Sequence, residues 1–573
     1  MAMEPQTEHH IPLKTAARDA LGIAAVCCLC VVVANPLGNF PIGDDWSFAQ
    51  AVQRLLATGD FRPTGWTSMP LITQTFWGSL FCLPAGFSFN ALRLSTLTMS
   101  LLGVLATYFL MRELRQPRWL AVVAALTLAF SPIYNLLSFT FMTDVPYTAI
   151  TVVTAVCWVR HLRTGSNPAF VAGSLCAVAA TLTRQTALCV PLAFAVALVL
   201  KNGLAARNLL RAVLPLALCA VVLMVFQRWL AATGRLPALY FMKNDELRHA
   251  LTHLWTVFAV ARNSYIMALY LGWFLLPVLV CISWGWWKFQ REQTAGLLVF
   301  STAGLAIAAL FNARMYGWHF LLMPNGVNVI SREVFSQDCL HDAAVLHINK
   351  IALPPSFWLV VTLLSMVGAI LLIAAIGSGA VRLIPKARPA GLDSTEVAGA
   401  FLVLASLIYL PPFLMSYFYD RYLIPPIPLL AAGLAGVFPH QLRAAPKACR
   451  CAVVALLLAY GVYAVCGTRD FLTWNRSRWE ALHYLMDSQK IQPKDIDGGF
   501  EFNGMYLYDP QYRPSPPKSQ WWVQNDTYRI GFGNMPGYTP IKEYGYYHWL
   551  PPYAGKIVIL KEDSPKILNS QGR

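Results

Sequence analysis

Apolar runs recur along this chain, each roughly 17 to 25 residues long and set apart by short polar loops. A run of about 20 apolar residues can cross a bilayer as a helix that satisfies its own backbone groups. Hydrophobic residues make up 57% of the chain and charged residues only 13%, whereas about a quarter are charged in soluble domains. The 44 Lys and Arg outnumber the 28 Asp and Glu. An excess this basic could serve nucleic acid, but its placement points elsewhere. It collects in short loops: Arg112, Arg115 and Arg118; Arg160 and Arg163; Lys201, Arg207 and Arg211; Arg382, Lys386 and Arg388. That is the pattern of cytoplasmic loops. Membrane lipids are therefore expected partners, and nucleic acid is not.

Alternating these loops gives about thirteen spans, with the N-terminus cytoplasmic and the C-terminus outside. Leu21–Pro36 lacks a small-residue cleavage motif and is kept as the first span. Phe170–Leu200 is long for one span and short for two, with Arg184-Gln185 interrupting it. It reads as a tight hairpin with Arg184 at its outer tip; the alternative is one tilted helix with Arg184 reaching the interface. Most of the thirteen cysteines lie inside apolar runs and read as fillers, not as a disulfide frame or metal pairs. The fold class expected is mainly α, a polytopic bundle in residues 1–466, with a small extracytoplasmic α/β domain in 467–573. In that domain 479–486 reads as helix, and 496–502 and 556–560 as strands. Its many Trp and Tyr read as interfacial anchors or, alternatively, as a sugar-stacking surface.

Charged residues at the outer boundary carry the functional signal, because charges near lipid are costly. Gly43-Asp44-Asp45-Trp46-Ser47-Phe48 follows the first span and opens an amphipathic pattern closed by Gly59. Adjacent acids at a helix start are either caps or a reaction centre. Asp144 precedes Val145-Pro146 on a second outer loop, where capping is again the plain alternative. Arg184 and Arg421 stand at outer span ends, and Asp420-Arg421 could be a simple interfacial pair. Brought together, a carboxylate would act as general base and the arginines would hold a phosphate. Those are the needs of glycosyl transfer from a lipid phosphate. Asp45 and Asp144 are also the kind of ligands a divalent cation takes. The outer-loop histidines His319, His341 and His347 are too scattered to argue for zinc.

These stretches resemble the GT-C glycosyltransferases, membrane enzymes that use polyprenyl-phosphate-linked sugars. The nearest branch looks like the bacterial lipid A aminoarabinose transferases and the dolichyl-phosphate-mannose protein mannosyltransferase relatives (glycosyltransferase family 39-like). Asp44-Asp45-Trp46 through Gly59-Asp60-Phe61 follows the family's Asp-Glu, aromatic, helix and Gly-Asp-aromatic pattern. Phe141-Met142-Thr143-Asp144-Val145-Pro146 is similar to its second acidic loop, and Thr183-Arg184-Gln185 to its arginine hairpin. Asp420-Arg421-Tyr422-Leu423-Ile424-Pro425 is similar to its Asp-Arg-Tyr-Leu-x-Pro stretch. Two departures stand out: Asp45 replaces the usual Glu, and Ser68-Met69-Pro70 lacks the family's histidine.

The resemblance implies an inverting transfer with Asp44 as the catalytic base and Asp144 assisting catalysis through acceptor positioning or metal binding. Asp45, Arg184, Arg421 and Tyr422 would bind substrate. It implies a polyprenyl-phosphate sugar donor, a glycolipid, glycan or protein acceptor of the cell envelope, and a site on the periplasmic face of a bacterial inner membrane. The competing reading is a transporter or flippase of lipid-linked sugars. Transporters favour internal repeats and midplane charges, and this chain shows neither.

Overall fold

The computed structural model describes residues 13–289, 291–321, 323, 353–386, 391–416, 418–438, 446–514 and 521–563. His341, His347 and most of the outer loop 312–350 lie outside these, while Asn312–Tyr316 continues a helix.

The bundle begins with α1 (Leu13–Ala34), α2 (Asp45–Thr58), α3 (Ile72–Cys82), α4 (Phe89–Glu113), α5 (Arg118–Ala129) and α6 (Pro132–Ser138). It continues with α7 (Asp144–Thr164), α8 (Asn167–Thr181), α9 (Cys189–Asn202), α10 (Ala206–Ala232), α11 (Met242–Thr252), α12 (Thr256–Phe289) and α13 (Arg291–Tyr316). It closes with α14 (Pro355–Leu383), α15 (Ser394–Tyr409), α16 (Pro411–Met415), α17 (Pro426–Val437) and α18 (Lys447–His483).

Among the described residues ten helices are long and apolar enough to cross a membrane, or eleven counting α5 and α6 as one span bent by 64°. Each of the thirteen expected segments is helical. The difference in count lies in α8 and α17, which at 15 and 12 residues are too short to cross alone. The Phe170–Leu200 stretch breaks at Leu182–Arg184, as the interrupting arginine suggested. Glycines let neighbouring helices touch: Gly272 of α12 and Gly368 of α14 face each other with no room for a methyl group.

The two ends of the bundle differ in charge. α4 carries Arg93 near its start and Arg112 in its last turn; α7 starts at Asp144 and ends beside Arg163. At the basic end Arg163 meets Glu113 at 3.2 Å, Arg118 pairs with Asp19, and Arg382 meets Glu396 at 3.0 Å. The acidic loops therefore stand a helix length from the basic ones.

α18 runs unbroken through 466/467 and carries the last span into the C-terminal region. There α19 (Phe500–Leu507) accompanies β1 (Ile496–Asp497), β2 (Tyr528–Gly531), β3 (Tyr538–Trp549) and β4 (Pro552–Glu562). The sheet order is β1-β2-β4-β3, with β1 and β2 parallel and the other pairs antiparallel. The expected strand 496–502 is corrected to two strand residues and a helix. Gly499 takes φ 90°, and the Asp497 carboxylate accepts from Gly499 N at 3.3 Å and Asn503 Nδ2 at 2.9 Å. The chain turns there and enters α19.

Asp470 of α18 fastens the β3–β4 turn to the bundle. Its buried carboxylate accepts from the backbone N–H of Trp549 at 2.9 Å and of Leu550 at 2.9 Å. His548 lies beside it, stacked on Tyr553 at 4.5 Å, with neither ring nitrogen hydrogen-bonded. Burial pushes this imidazole below its ordinary value of 6.5, Asp470 pulls it up, and Arg469 pushes it down. A lowered folded-state value means the unfolded chain binds the extra proton, so this stability is present above about pH 6.5 and is lost as pH falls further. Thermal unfolding in detergent is therefore expected to weaken between pH 7.5 and 5. His548→Phe keeps the stacking, should raise stability by about 1 kcal/mol, and should flatten that acid dependence.

Candidate active site

Two buried charges knit the loops at the acidic end. Arg93 of α4, 2% exposed, donates to the carbonyls of Gly38 at 3.0 Å, Phe40 at 3.2 Å and Phe139 at 2.7 Å, and also to Pro36. Asp45 opens α2; its Oδ1 accepts from Ile42 N at 2.6 Å and its Oδ2 from Phe141 N at 3.1 Å. Burial pushes the Asp45 carboxyl well above its usual value, while the Phe141 and Ile42 amides and the Arg93 charge hold it down. A buried carboxylate is tolerable only when its lone pairs are met in this way. The first acidic loop and the second are thereby tied together.

Four chain segments then converge. Asp44 Oδ2 meets Arg421 Nη2 at 3.0 Å, and Asp44 Oδ1 accepts from Trp66 Nε1 at 2.9 Å. Asp144 Oδ1 pairs with Arg184. The other Asp144 oxygen is buried without a hydrogen-bond partner. The Tyr422 ring lies near both cations, 5.1 Å from the Arg184 guanidinium carbon and 5.8 Å from that of Arg421. Tyr419 lies 4.4 Å from Arg421. The Asp44 side chain is 23% exposed and that of Asp144 only 1%, so Asp44 is the carboxylate a substrate can reach.

Asp44 occupies the N-cap of α2 and Thr143 that of α7, and neither makes a side-chain cap bond. Arg421 pairs with Asp44 across the site, while its neighbour Asp420 is fully buried. Near the missing histidine, Met69 Sδ accepts from Thr143 Oγ1 at 3.3 Å, and Gln185 Nε2 donates to Ser68 O at 3.1 Å. That segment thus lies against both the Asp144 loop and the Arg184 break. For a divalent cation Asp45 offers no free oxygen, because backbone amides take both, while Asp144 has one oxygen on a guanidinium and one without a partner. Among the described residues no three His, Cys, Asp or Glu are grouped as a metal site.

Sequence reasoning missed Trp66, Arg93 and Tyr419. Trp66 and Arg93 belong to no motif and sit in a loop and on a helix face, so only the folded chain brings them to the acids. The C-terminal aromatics are corrected in part. Phe500, Tyr508 and Trp522 pack around Trp46 and Trp66, with ring centroids 5.2 to 6.4 Å apart, as an internal core. They are neither bilayer anchors nor an open stacking surface.

Residues 70–231 match the family described as dolichyl-phosphate-mannose-protein mannosyltransferase. The matched stretch contains Asp144 and Arg184, and leaves Asp44 and Arg421 outside. No curated protein matches the chain. The solved structures similar to it include ArnT from Cupriavidus metallidurans in the apo state, at 14% identity and a TM-score of 0.39. They also include the same protein bound to undecaprenyl phosphate, at 13% identity and a TM-score of 0.39. Each likeness covers 95% of this chain and 98% of the other. Over residues 70–231 the chain thus resembles the dolichyl-phosphate-mannose-protein mannosyltransferases.

Asp45→Ala would leave two buried amides unpaired. It should cost about 2–4 kcal/mol of stability and lower the detergent melting temperature. Asp45→Asn, which keeps one acceptor, should cost less.

Proposed function

We propose that the protein is an integral-membrane glycosyltransferase. It moves a sugar, with inversion, from a polyprenyl-phosphate donor to a glycolipid, glycan or protein of the cell envelope. The observation that carries this reading is the convergence of Asp44, Asp144, Arg184 and Arg421 at one end of an apolar bundle, with Asp44 the most exposed carboxylate. The mannosyltransferase family match over 70–231 supports it independently.

The chemistry follows from the groups present. The donor's lipid tail lies among the apolar helices, and its phosphate reaches the arginines at their ends. Arg421 holds Asp44 in this state. A phosphate that takes up the guanidinium bidentately would release Asp44 Oδ2. Asp44 then accepts the proton of the acceptor hydroxyl or amine as that oxygen or nitrogen attacks the anomeric carbon. The bond to the phosphate oxygen breaks on the opposite side, and the electron pair leaves with the polyprenyl phosphate. Arg421 and Arg184 stabilise the negative charge that forms. Asp144 keeps Arg184 in place, and the Tyr422 ring packs against both cations.

The basic clusters at the far end support a cytoplasmic N-terminus, and with it a reaction on the periplasmic face of a bacterial inner membrane. A flippase would use charges along the transport path near the midplane; these stand where helices end in loops.

Purified Asp44→Asn should lose about 10²- to 10⁴-fold in turnover on lipid-linked sugars and acceptors from the native envelope, while inserting and melting as the wild type does. Wild-type turnover would remove Asp44 as the base. Arg421→Ala should weaken undecaprenyl-phosphate binding about tenfold or more, measured by tryptophan fluorescence.

A further inference from the structure

We propose that Trp66 is a positioning residue for Asp44, and that the C-terminal domain is the support that holds it there. The inference rests on the reading of Asp44 as the base, and goes beyond it by giving the C-terminal domain a part in the reaction.

The Trp66 indole N–H donates to Asp44 Oδ1 at 2.9 Å. An indole is a neutral donor that cannot accept the proton Asp44 takes up. It therefore fixes the carboxylate without competing in the transfer. Arg421, on the other oxygen, is the partner a phosphate would draw away. With Arg421 engaged by donor, Trp66 keeps Asp44 in register and presents Oδ2 to the acceptor.

The Trp66 ring is caged from both domains. Trp522 lies 5.2 Å from it, Phe500 6.0 Å, Tyr508 6.2 Å and Trp46 6.4 Å. Phe500, Tyr508 and Trp522 come from the C-terminal domain, and Trp46, two residues after Asp44, is fully buried among them. The fit is close: a methyl group at Gly504 would collide with Trp46, and one at Gly65 with the Tyr508 hydroxyl.

A second brace acts on the backbone. Gly43 N, one residue before Asp44, donates to Glu501 Oε1 at 3.1 Å. Glu501 Oε2 is paired with Arg478 at 2.9 Å, with the two side chains 3% and 0% exposed. Arg478 also donates to Gly498 O at 2.9 and 2.7 Å. Further along α2, Gln50 Nε2 donates to Met505 O at 3.1 Å. The backbone before Asp44 and the helix after it are held from the C-terminal domain directly, and its side chain is held through Trp66, which that domain cages.

The test compares purified, full-length Trp66→Phe, Glu501→Gln and Asp44→Asn with the wild type. Turnover is measured on native envelope lipids and binding with undecaprenyl phosphate. Phe preserves the cage and removes only the donor. Turnover of Trp66→Phe should fall roughly tenfold to a hundredfold, the range carried by a hydrogen bond to a charged group, with undecaprenyl-phosphate affinity within about twofold. The acid limb of its pH–rate profile should move to higher pH, because a carboxylate that loses a donor holds its proton more tightly. Glu501→Gln keeps an acceptor for Gly43, and should show a smaller fall in the same direction. Wild-type turnover in Trp66→Phe beside a dead Asp44→Asn would overturn the inference and leave the base intact. A loss of turnover matched by an equal loss of affinity, with an unmoved pH profile, would also overturn it. An active Asp44→Asn would sink the underlying reading instead. If Trp66→Phe fails to fold, Glu501→Gln decides: wild-type turnover and pH profile overturn the inference, and a fall with the profile shift supports it.

Discussion

The acidic end of this molecule depends on a carboxylate that does no chemistry in our account. Asp45 accepts backbone N–H groups from two loops that are almost a hundred residues apart in sequence, while Arg93 gathers four carbonyls of the same loops. Loops at a bundle end lack the ladders that fix helices and strands, so their backbone groups must be met by side chains. A buried charge meets several at once, and its interactions are strong because the surroundings are apolar. With these loops joined, Asp44 and Asp144 face Arg421 and Arg184; without that, the four residues would belong to separate segments.

That arrangement divides the labour between adjacent acids. Asp45 is sealed and spends both oxygens on structure. Asp44 remains partly exposed, with a fixed neutral donor on one oxygen and a displaceable cation on the other. An acid meant to exchange a proton with substrate must be reachable, and must be held without being neutralised for good. The paired arginines have a similar logic. Each carries a carboxylate counterion in this state, and in the proposed reaction an anionic phosphate would disturb that balance.

Much of this was legible in the sequence, for identifiable reasons. Spans follow from apolar length and basic loops from charge, both properties of composition that survive without neighbours. The break at Arg184 was readable because a charge interrupts an apolar run. Asp44, Asp144, Arg184 and Arg421 were readable as boundary charges, but their pairing was not: Arg421 neighbours Asp420 in the chain and pairs with Asp44 across 377 positions. Trp66, Arg93 and the Arg478–Glu501 brace were invisible because their roles are contacts between distant segments. The strand expected at 496–502 failed because its alternating apolar residues serve a helix that packs on Trp46.

The central claim is that Asp44 acts as a base in one direct displacement at the sugar. The most direct measurement is the anomeric configuration of the transferred sugar, read by proton NMR coupling and compared with the donor. The account predicts inversion. Retention would require a covalent sugar–enzyme intermediate or an equivalent double displacement, and would contradict it.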